Sequence, residues 1–397
     1  MIRTMIFINS VFPCISETFV FDQYEVLESD GIQLRIVSNN RPKADEVHPK
    51  MRSIMVNVDY LCDAGYREVL MAHVHALVNA PARYLTALIQ IPGSAEKFKT
   101  TLGHITGAAL IVRRYRHSNA PMLHAHFTYG AAAVAMWTKR IAGIPYALTL
   151  HGSDLIFDDP ADLAAKLEEA DALVSISKFN VDFLRLKFPK VASSKVSVIP
   201  MGIPSAPCPP ATAPTPGILR LLTVGRLSNQ KAQHILVDAC ALLEKRGVLF
   251  SCQIVGDGPM RPFLESRIIE LQLTNKVQLL GARFHDEVLN LYGSTDLFVL
   301  CSIAEGMPIV LMEAMRAGVP LVSTSVGAIP ELVQDAGVLI PPNNSFALAD
   351  AIEQFACGKL DIERMKTRAK EIVANEFDLK TNHRRLGDLL SSLSVDI

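Results

Sequence analysis

Short apolar runs rich in Val, Ile and Leu alternate along the chain with longer stretches in which apolar residues recur at helical spacing. This alternation is typical of parallel sheets built from strand–helix–strand units. Helices are predicted, for example, at 21–29, 131–142 and 161–169. Strands are predicted in a first series at residues 4–10, 33–39, 122–127, 146–152, 172–177 and 196–202, and in a second series at 220–226, 250–256, 276–281, 296–302, 320–325 and 337–342. The pattern indicates an α/β protein with two parallel sheets of six strands each.

A proline-rich segment with almost no charge separates the two series. Six prolines fall within residues 204–216, a density that excludes a helix interior or a central strand. We interpret residues 203–217 as an interdomain linker; the alternative is a long loop inside one domain. The predicted domains are residues 1–202 and 218–378, both Rossmann-like and facing a central cleft, with residues 379–397 as a helix that crosses back to the first domain.

Composition supports two domains and excludes several classes of protein. The chain has 397 residues, of which 49% are apolar, so it is too long for one ordinary domain and too apolar for a disordered protein. A net charge of −1 excludes a broadly basic nucleic-acid binder. The seven cysteines are scattered without a CxxC pair, which indicates reduced thiols. Because neither a signal peptide nor a membrane-spanning stretch is recognisable, we expect a cytoplasmic protein or one at the inner face of the cytoplasmic membrane.

The densest group of candidate functional residues follows the predicted strand at 296–302. Glu305 comes at the carboxyl end of this strand, and the apolar run behind it opens a helix whose first amides can bind an anion. Glu313 lies eight residues further on, too far to share a proton with Glu305 but suitably placed to bind another hydroxyl group of one extended ligand. The alternative is two carboxylates with no common function.

A second group follows the first strand of the second series. Gly225 permits a tight turn, and Arg226 and Lys231 offer two cations for a diphosphate if this loop and Glu305 face the same cleft. The alternative is two solvated surface cations. Gly256 begins Gly-Asp-Gly-Pro, which we interpret as a tight turn because the third glycine of a dinucleotide fingerprint is missing. No Walker A, HExxH, GxSxG or Asp-x-Asp motif occurs, so neither a catalytic metal nor a cofactor is predicted.

Histidines mark the strand ends of the first series. His151 is expected to be exposed at the end of its strand, with a glycine behind it and Asp154 nearby, and this combination favours a functional role. For His124 and His126 a purely structural role is the alternative. These two are expected to face opposite sides of their strand and therefore not to form a metal pair.

These residues together resemble the retaining glycosyltransferases often called family 4, which have the GT-B fold. In the second half, GRLSNQK, VGDGP, EGMPIVLMEAMRAGVPLVSTSVGAIPELV and GVLIPP occur in family order and spacing. In the first half the likeness is looser and depends on FPCISETFVFDQ, LHAHF, LTLHGSDL and SISKF. The ISETF and HAHF stretches resemble the branch that builds bacterial exopolysaccharides, capsules and O-antigens.

The resemblance implies a function for each matching residue. The second domain would bind a UDP- or GDP-sugar: Arg226 and Lys231 its diphosphate, Glu305 the transferred sugar, Glu313 the ribose, and the backbone at 281–283 the base. The full set predicted to bind the sugar donor is Gly225, Arg226, Lys231, Gly256, Gly281, Arg283, Glu305, Gly306, Met307, Ile309, Val310 and Glu313. The first domain would bind the acceptor through Ser16, Glu17, Thr18, His126 and His151. The catalytic residues would be His151, Glu305, Arg226 and Lys231.

The implied activity is transfer of a hexose, without a metal and with retention at the anomeric carbon, to a saccharide or lipid-linked acceptor in surface polysaccharide biosynthesis. Two alternatives stay open: a catalytically silent subunit of an assembly complex, and a nucleotide-sugar epimerase.

Residues 65–120 contain seven basic residues but only two acidic ones, interspersed with apolar runs. This pattern favours contact with an anionic membrane, and the alternative is ordinary packed helices with solvated basic faces.

Overall fold

The computed structural model describes residues 4–14, 18–43, 47, 49–118, 122–158, 160–192, 195–205 and 217–393. The chain divides into two compact units, one formed by Met1–Met201 with Lys380–Ile397 and the other by Gly202–Leu379. Most of the predicted linker, residues 206–216, lies outside the described residues.

The first unit contains a parallel sheet in the order β3-β2-β1-β4-β5-β6-β7. Its strands are β1 (Thr4–Val11), β2 (Gln33–Asn40), β3 (Val58–Tyr60), β4 (Met122–His126), β5 (Tyr146–Leu150), β6 (Ala172–Ser175) and β7 (Val196–Val198). The prediction of six strands was wrong by one, because β3 has only three residues and no apolar run to mark it.

The second unit contains a six-stranded parallel sheet in the order β10-β9-β8-β11-β12-β13. Its strands are β8 (Leu219–Val224), β9 (Phe250–Val255), β10 (Val277–Gly281), β11 (Leu297–Leu300), β12 (Leu321–Thr324) and β13 (Val338–Ile340). Both sheets have the Rossmann strand order, which reverses direction between β1 and β4 and between β8 and β11. The predicted α/β class with two Rossmann-like sheets is therefore confirmed.

Helices cover both faces of each sheet. The first unit has α1 (Thr18–Ser29), α2 (Tyr66–Asn79), α3 (Pro81–Gln90), α4 (Phe98–Arg114), α5 (Gly130–Ala142), α6 (Leu163–Glu169), α7 (Lys178–Lys187) and α8 (Pro189–Ala192). The second unit has α9 (Gln233–Lys245), α10 (Arg261–Glu270), α11 (His285–Gly293), α12 (Ile309–Arg316), α13 (Ile329–Val333), α14 (Ser345–Ala356) and α15 (Ile362–Glu376). The last helix, α16 (Leu379–Leu393), returns to the first unit. None of the helices in the described ranges is long and apolar enough to cross a membrane.

Alternating residues of β1 supply two apolar cores in the first unit. Ile6 and Ile8 pack on the face that holds the buried Trp137 of α5. Phe7 points to the other face, where it packs with the cluster that includes Leu386 and Leu390 of α16. A strand buried on both faces needs apolar residues at every position, which is the continuous run seen in the sequence.

Candidate active site

The predicted residues of the second unit lie at the carboxyl edge of its sheet. Gly225 follows β8, Gly256 follows β9, and Glu305 lies in the loop between β11 and α12. β8 and β11 are neighbours where the strand order reverses, and open parallel sheets bind ligands in the crevice outside the strand ends at this position. The sequence thus brings its candidate residues to the place in the fold where a ligand is expected.

An ion pair between Lys231 and Glu305 connects the loop after β8 with the loop after β11, the two strands between which the order reverses. Lys231 Nζ lies 2.5 Å from Glu305 Oε1, and the Ser302 hydroxyl donates to the same oxygen at 2.6 Å. The Glu305 side chain is 7% exposed and the Lys231 side chain is 22% exposed. The partly buried pair fixes the lysine cation at the rim of the sheet, where its remaining hydrogens can bind a phosphate.

Arg226 is exposed beside this pair. Among the residues that the structure describes, its guanidinium has neither a hydrogen bond nor an ion pair, so its charge is available to a ligand. Its backbone is held instead, because Gln233 Nε2 donates to the Arg226 carbonyl at 3.0 Å. The loop is thus fixed while its cation is free to bind.

Two glycines permit close approach between neighbouring loops at this edge. A Cβ at Gly256 would overlap the carbonyl oxygen of Gly225, and a Cβ at Gly327 would overlap the carbonyl oxygen of Glu305. Both glycines have positive φ angles, +135° and +55°. Gly256 was predicted from the tight turn, whereas Gly327 was missed, because nothing in its local sequence shows which loop lies against it.

Glu313 lies on α12 with its side chain almost wholly buried, and two other residues orient it. His285 Nε2 lies 2.7 Å from Glu313 Oε1, and the Tyr292 hydroxyl donates to Oε2 at 3.1 Å. Sequence reasoning missed His285 and Tyr292, as it did Ser302, because their contacts with the carboxylates depend on the packing of α11 and on the course of the loop after β11. Glu313 is therefore held in one orientation before any ligand binds.

The remaining predicted residues surround the same edge. The Gly281 carbonyl at the end of β10 accepts from Gly256 N at 2.9 Å, and Arg283 forms a long 3.9 Å ion pair with Glu287. The loop before α12 and the first residues of that helix contribute Gly306, Met307, Ile309 and Val310. A cavity of about 740 Å³ lies at the opposite, amino edge of this sheet and contains none of the predicted residues.

In the first unit, the predicted histidines meet at the carboxyl ends of β4 and β5. His126 Nδ1 lies 3.0 Å from His151 Nε2, and both side chains are buried. The expectation that His151 is exposed was therefore wrong: Phe127 and Phe19 cover its ring, with centroids at 4.1 and 4.9 Å. Burial lowers the pKa of both histidines well below its usual value, so both rings are neutral.

His124 and His126 lie on the same face of β4, and the prediction that they face opposite sides was wrong. Residues two apart on a strand share a face, and here the ring centroids are 4.7 Å apart. His124 is held by Thr149, whose hydroxyl lies 2.8 Å from Nε2. Within the described residues, no group of three or more His, Cys, Asp or Glu side chains could hold a metal ion.

Asp154 positions the loop that carries His151. Its two carboxyl oxygens accept from the amides of His151 at 3.0 Å and Thr128 at 2.9 Å. Burial raises the pKa of Asp154 to about 7, although the amides act in the opposite direction. Asp154 therefore links the loops that follow β4 and β5 through their backbone amides. Among the described contacts, its carboxyl group makes no hydrogen bond to the ring of His126 or His151.

This raised pKa gives the folded state a pH dependence of known sign. The unfolded chain ionises Asp154 near the ordinary pKa of 3.8, so between about pH 4 and 7 the folded state holds the extra proton. The contribution of Asp154 to the free energy of unfolding is therefore lost as the pH rises through this range. We expect wild type to lose stability relative to Asp154→Asn when the pH is raised from about 5 to about 8. Urea denaturation at the two pH values measures both free energies of unfolding. Asp182→Asn, a substitution at an exposed carboxylate of the same unit, is the control. An equal stability difference at both pH values for Asp154→Asn would contradict the prediction.

The acceptor residues predicted in the loop after β1 are only partly described. Ser16 and Glu17 lie outside the described residues, and Thr18 is the first residue of α1. At the carboxyl edge of the same sheet, the buried atoms Nδ2 of Asn9 and Nε2 of His126 have no hydrogen-bond partner among the described residues. Buried polar atoms without a partner are costly, which makes them candidates for contacting a polar ligand.

Two family models match the chain in sequence. The model described as Glycosyltransferase Family 4 matches residues 16–206, and the model described as Glycosyl transferases group 1 matches residues 216–372. The chain is also 27% identical to the putative colanic acid biosynthesis glycosyltransferase WcaL of Salmonella typhimurium, over 96% of this chain and 98% of that protein. The matches thus cover both units.

Solved structures with the same fold agree with these matches. A glycosyltransferase from Rickettsia africae ESF-5 aligns with a TM-score of 0.74 at 18% identity, covering 100% of this chain and 99% of that one. Anabaena Alr3699/HepE in complex with UDP-glucose aligns with a TM-score of 0.70 at 20% identity, covering 98% and 99%. The family models, the full-length relative and the two Rossmann-like sheets together establish that this chain belongs to the family 4 type of glycosyltransferases and has the GT-B fold.

Proposed function

We propose that this glycosyltransferase is a retaining, metal-independent enzyme that moves a hexose from a UDP- or GDP-sugar to a saccharide or lipid-linked acceptor. We place the reaction in exopolysaccharide biosynthesis, at the inner face of the cytoplasmic membrane. The name of the Salmonella relative, which refers to colanic acid biosynthesis, supports the pathway class. The UDP-glucose bound to the Anabaena protein supports a nucleotide-sugar as donor.

The observation that carries the proposal is the contact between Lys231 and Glu305 where the strand order reverses. A cation held there by a buried carboxylate, in the same loop as the exposed Arg226 and close in the fold to the first amides of α12, supports binding of a diphosphate. Glu313, oriented by His285 and Tyr292, presents a carboxylate of the kind that binds ribose hydroxyls.

In the proposed reaction, the bond between the anomeric carbon and the β-phosphate oxygen breaks while the acceptor hydroxyl oxygen bonds to the same face of that carbon. The hydroxyl proton passes to the departing phosphate, which leaves as the nucleoside diphosphate. Lys231 and Arg226 stabilise the negative charge that develops on this phosphate, and no metal is needed for that purpose. His151, neutral because burial lowers its pKa, can hydrogen-bond the reacting sugar or acceptor without adding charge.

Glu313→Gln should weaken binding of the sugar donor. The amide keeps the shape of the carboxylate but loses its charge, and a hydrogen bond to a charged group contributes about 1.5–3 kcal/mol, so the dissociation constant of UDP or GDP should rise about 10- to 100-fold. Isothermal titration calorimetry measures this directly. Glu363→Gln, a substitution at an exposed carboxylate of the same unit, is the control; equal affinities for the two variants would exclude Glu313 from the nucleotide site.

A turnover assay tests the proposed function itself. Purified protein is incubated with UDP- and GDP-hexoses, with and without saccharide acceptors, and the released nucleoside diphosphate and the products are measured. Transfer with the anomeric configuration kept is the expected result. Donor binding without any turnover would instead indicate a silent subunit, and an altered sugar still attached to the nucleotide would indicate an epimerase.

A further inference from the structure

Large apolar side chains remain exposed in one part of the first unit. Of the twenty that are exposed in the described part of the chain, ten lie between residues 66 and 102. On α2 they form a stripe at four-residue spacing, Tyr66, Leu70, Val74 and Val78, opposite the buried Ala72 and Ala76. A helix that buries one apolar face and exposes another has a surface left for a partner.

Two neighbouring helices also expose large apolar side chains. Leu85 and Ile89 are exposed on α3, and Phe98 and Leu102 are exposed on the first turns of α4. His73 of α2 joins all three helices, since Nδ1 lies 2.7 Å from the Tyr84 hydroxyl and Nε2 lies 3.2 Å from the Thr106 hydroxyl. We refer to the exposed faces of α2, α3 and the first turns of α4 as the α2–α4 surface.

The directions of the helices bring these side chains together. Glu68 at the start of α2 pairs with Arg114 at the end of α4 at 2.8 Å, while His73 contacts Thr106 further along. The two helices therefore run antiparallel, and at 1.5 Å per residue the last turn of α2 lies level with the first turns of α4. Val78, Leu102 and Phe98, all exposed, thus lie at the same end of this helix pair.

The charge available on this surface is positive. Arg67, Arg83, Lys97 and Lys99 have neither an ion pair nor a side-chain hydrogen bond among the described residues. The two acidic residues of the region are occupied within the protein: Glu68 by Arg114, and Glu96 by His104 and Lys166. Unpaired cations set among exposed apolar side chains are complementary to an anionic lipid surface, which offers phosphates above an apolar layer.

The α2–α4 surface adjoins the edge of the sheet that carries the histidines. A Cβ at Gly130, the first residue of α5, would lie 3.2 Å from His104 Nε2 of α4 and 3.8 Å from Ser10 Oγ at the end of β1. The early turns of α4 therefore lie beside the carboxyl ends of β1 and β4, where His126 ends its strand. A molecule anchored against this surface would present its head group near that edge.

We propose that the α2–α4 surface docks on an anionic bilayer and holds the enzyme where a lipid-linked acceptor reaches the His126–His151 edge, an inference that rests on the proposed glycosyl transfer. A second copy of this chain is a poorer occupant. In a two-fold dimer each patch faces itself, so the unpaired cations Arg67, Lys97 and Lys99 of both copies would be brought into one interface.

Vesicle flotation with the full-length chain tests the docking. Wild type should float with vesicles containing phosphatidylglycerol at low salt and should be released at high salt, but it should not float with phosphatidylcholine alone. Lys97→Ser/Lys99→Ser should weaken binding about 25-fold, because each cation near an anionic surface contributes about fivefold. Phe98→Ser/Ile89→Ser should also reduce flotation, whereas Lys245→Ser/Lys359→Ser and Leu249→Ser/Phe346→Ser, at exposed positions of the second unit, should not.

Two further measurements separate the possible failures. If wild type does not bind anionic vesicles, or if it binds neutral ones equally well, the docking is overturned, even where UDP- or GDP-sugar turnover with a soluble acceptor is intact. If vesicles bind but no turnover is found, the proposed function fails and the docking stands. Light scattering that shows a dimer dissociated by Phe98→Ser/Ile89→Ser, without vesicle binding, would assign the surface to a second copy instead.

Discussion

Replacing Lys231 by alanine is expected to lower the rate of sugar transfer about 100- to 1,000-fold, the usual effect of removing one group that stabilises developing negative charge. The structure gives the reason. Lys231 Nζ is held 2.5 Å from Glu305 Oε1, so the cation has a fixed position at the end of β8 instead of moving freely in solvent. In the proposed reaction the departing phosphate would then lose one of its two side-chain cations, and the buried Glu305 would lose its counter-charge. Initial rates with a nucleotide-sugar over a range of concentrations would measure kcat and KM separately.

A lower rate caused by unfolding of the variant must be distinguished from one caused by weaker stabilisation of the departing phosphate. Lys231→Met keeps most of the side-chain volume, and urea denaturation shows whether either variant remains folded at the assay temperature. Lys366→Ala removes a lysine that pairs with the exposed Glu363 on α15 and should leave the rate unchanged. A folded Lys231→Met variant with wild-type kcat would remove this lysine from the reaction and, with it, the main support for the proposed function.

Gly327→Ala should both destabilise the protein and lower transfer about 100-fold, since displacement of reacting groups by about 1 Å has an effect of that size. The added Cβ would overlap the carbonyl oxygen of Glu305, so the loop between β11 and α12 has to move. That loop carries the carboxylate that holds Lys231. Thermal unfolding and donor turnover of the purified variant measure the two effects.

The chain offers a matched control for this substitution. Gly358 has a φ angle of +66°, close to the +55° of Gly327, but a Cβ there would meet nothing within 4 Å. Gly358→Ala therefore carries the same backbone strain, roughly 1–2 kcal/mol, without the overlap. If the two variants lose stability and activity equally, the strain of the left-handed backbone explains the result and close packing against Glu305 does not.

Much of the architecture was predictable from local pattern. Strands buried on both faces appear as continuous apolar runs, and twelve of the thirteen strands found in the described ranges were predicted from such runs. β3 was missed because a three-residue edge strand needs no such run. Several predicted strands extended too far at their carboxyl ends: β11 ends at Leu300 and β5 at Leu150, so Ser302 and His151 lie in loops.

Contacts within the candidate site were less predictable. Lys231 and Glu305 were both placed at strand ends, but their contact requires β8 and β11 to be neighbours, and a crossover connection of many residues decides that. His285 reaches Glu313 from another helix, so no spacing in the chain identifies it. The sequence of an amphipathic helix also does not show which of its apolar residues are covered by neighbouring elements. Ile105 of α4 is buried, whereas Leu102 of the same helix is exposed.

The order of residues along this chain was enough to predict two parallel α/β sheets and the loops that carry charge, because side-chain period and turn chemistry act over a few residues. Folding in three dimensions was needed to show that Glu305 holds Lys231, that His151 is covered by phenylalanines, and that helices α2 to α4 leave an apolar, cationic face uncovered. Each of these depends on groups distant in the chain that meet through strand order and helix packing, and short-range sequence patterns carry no information about such meetings.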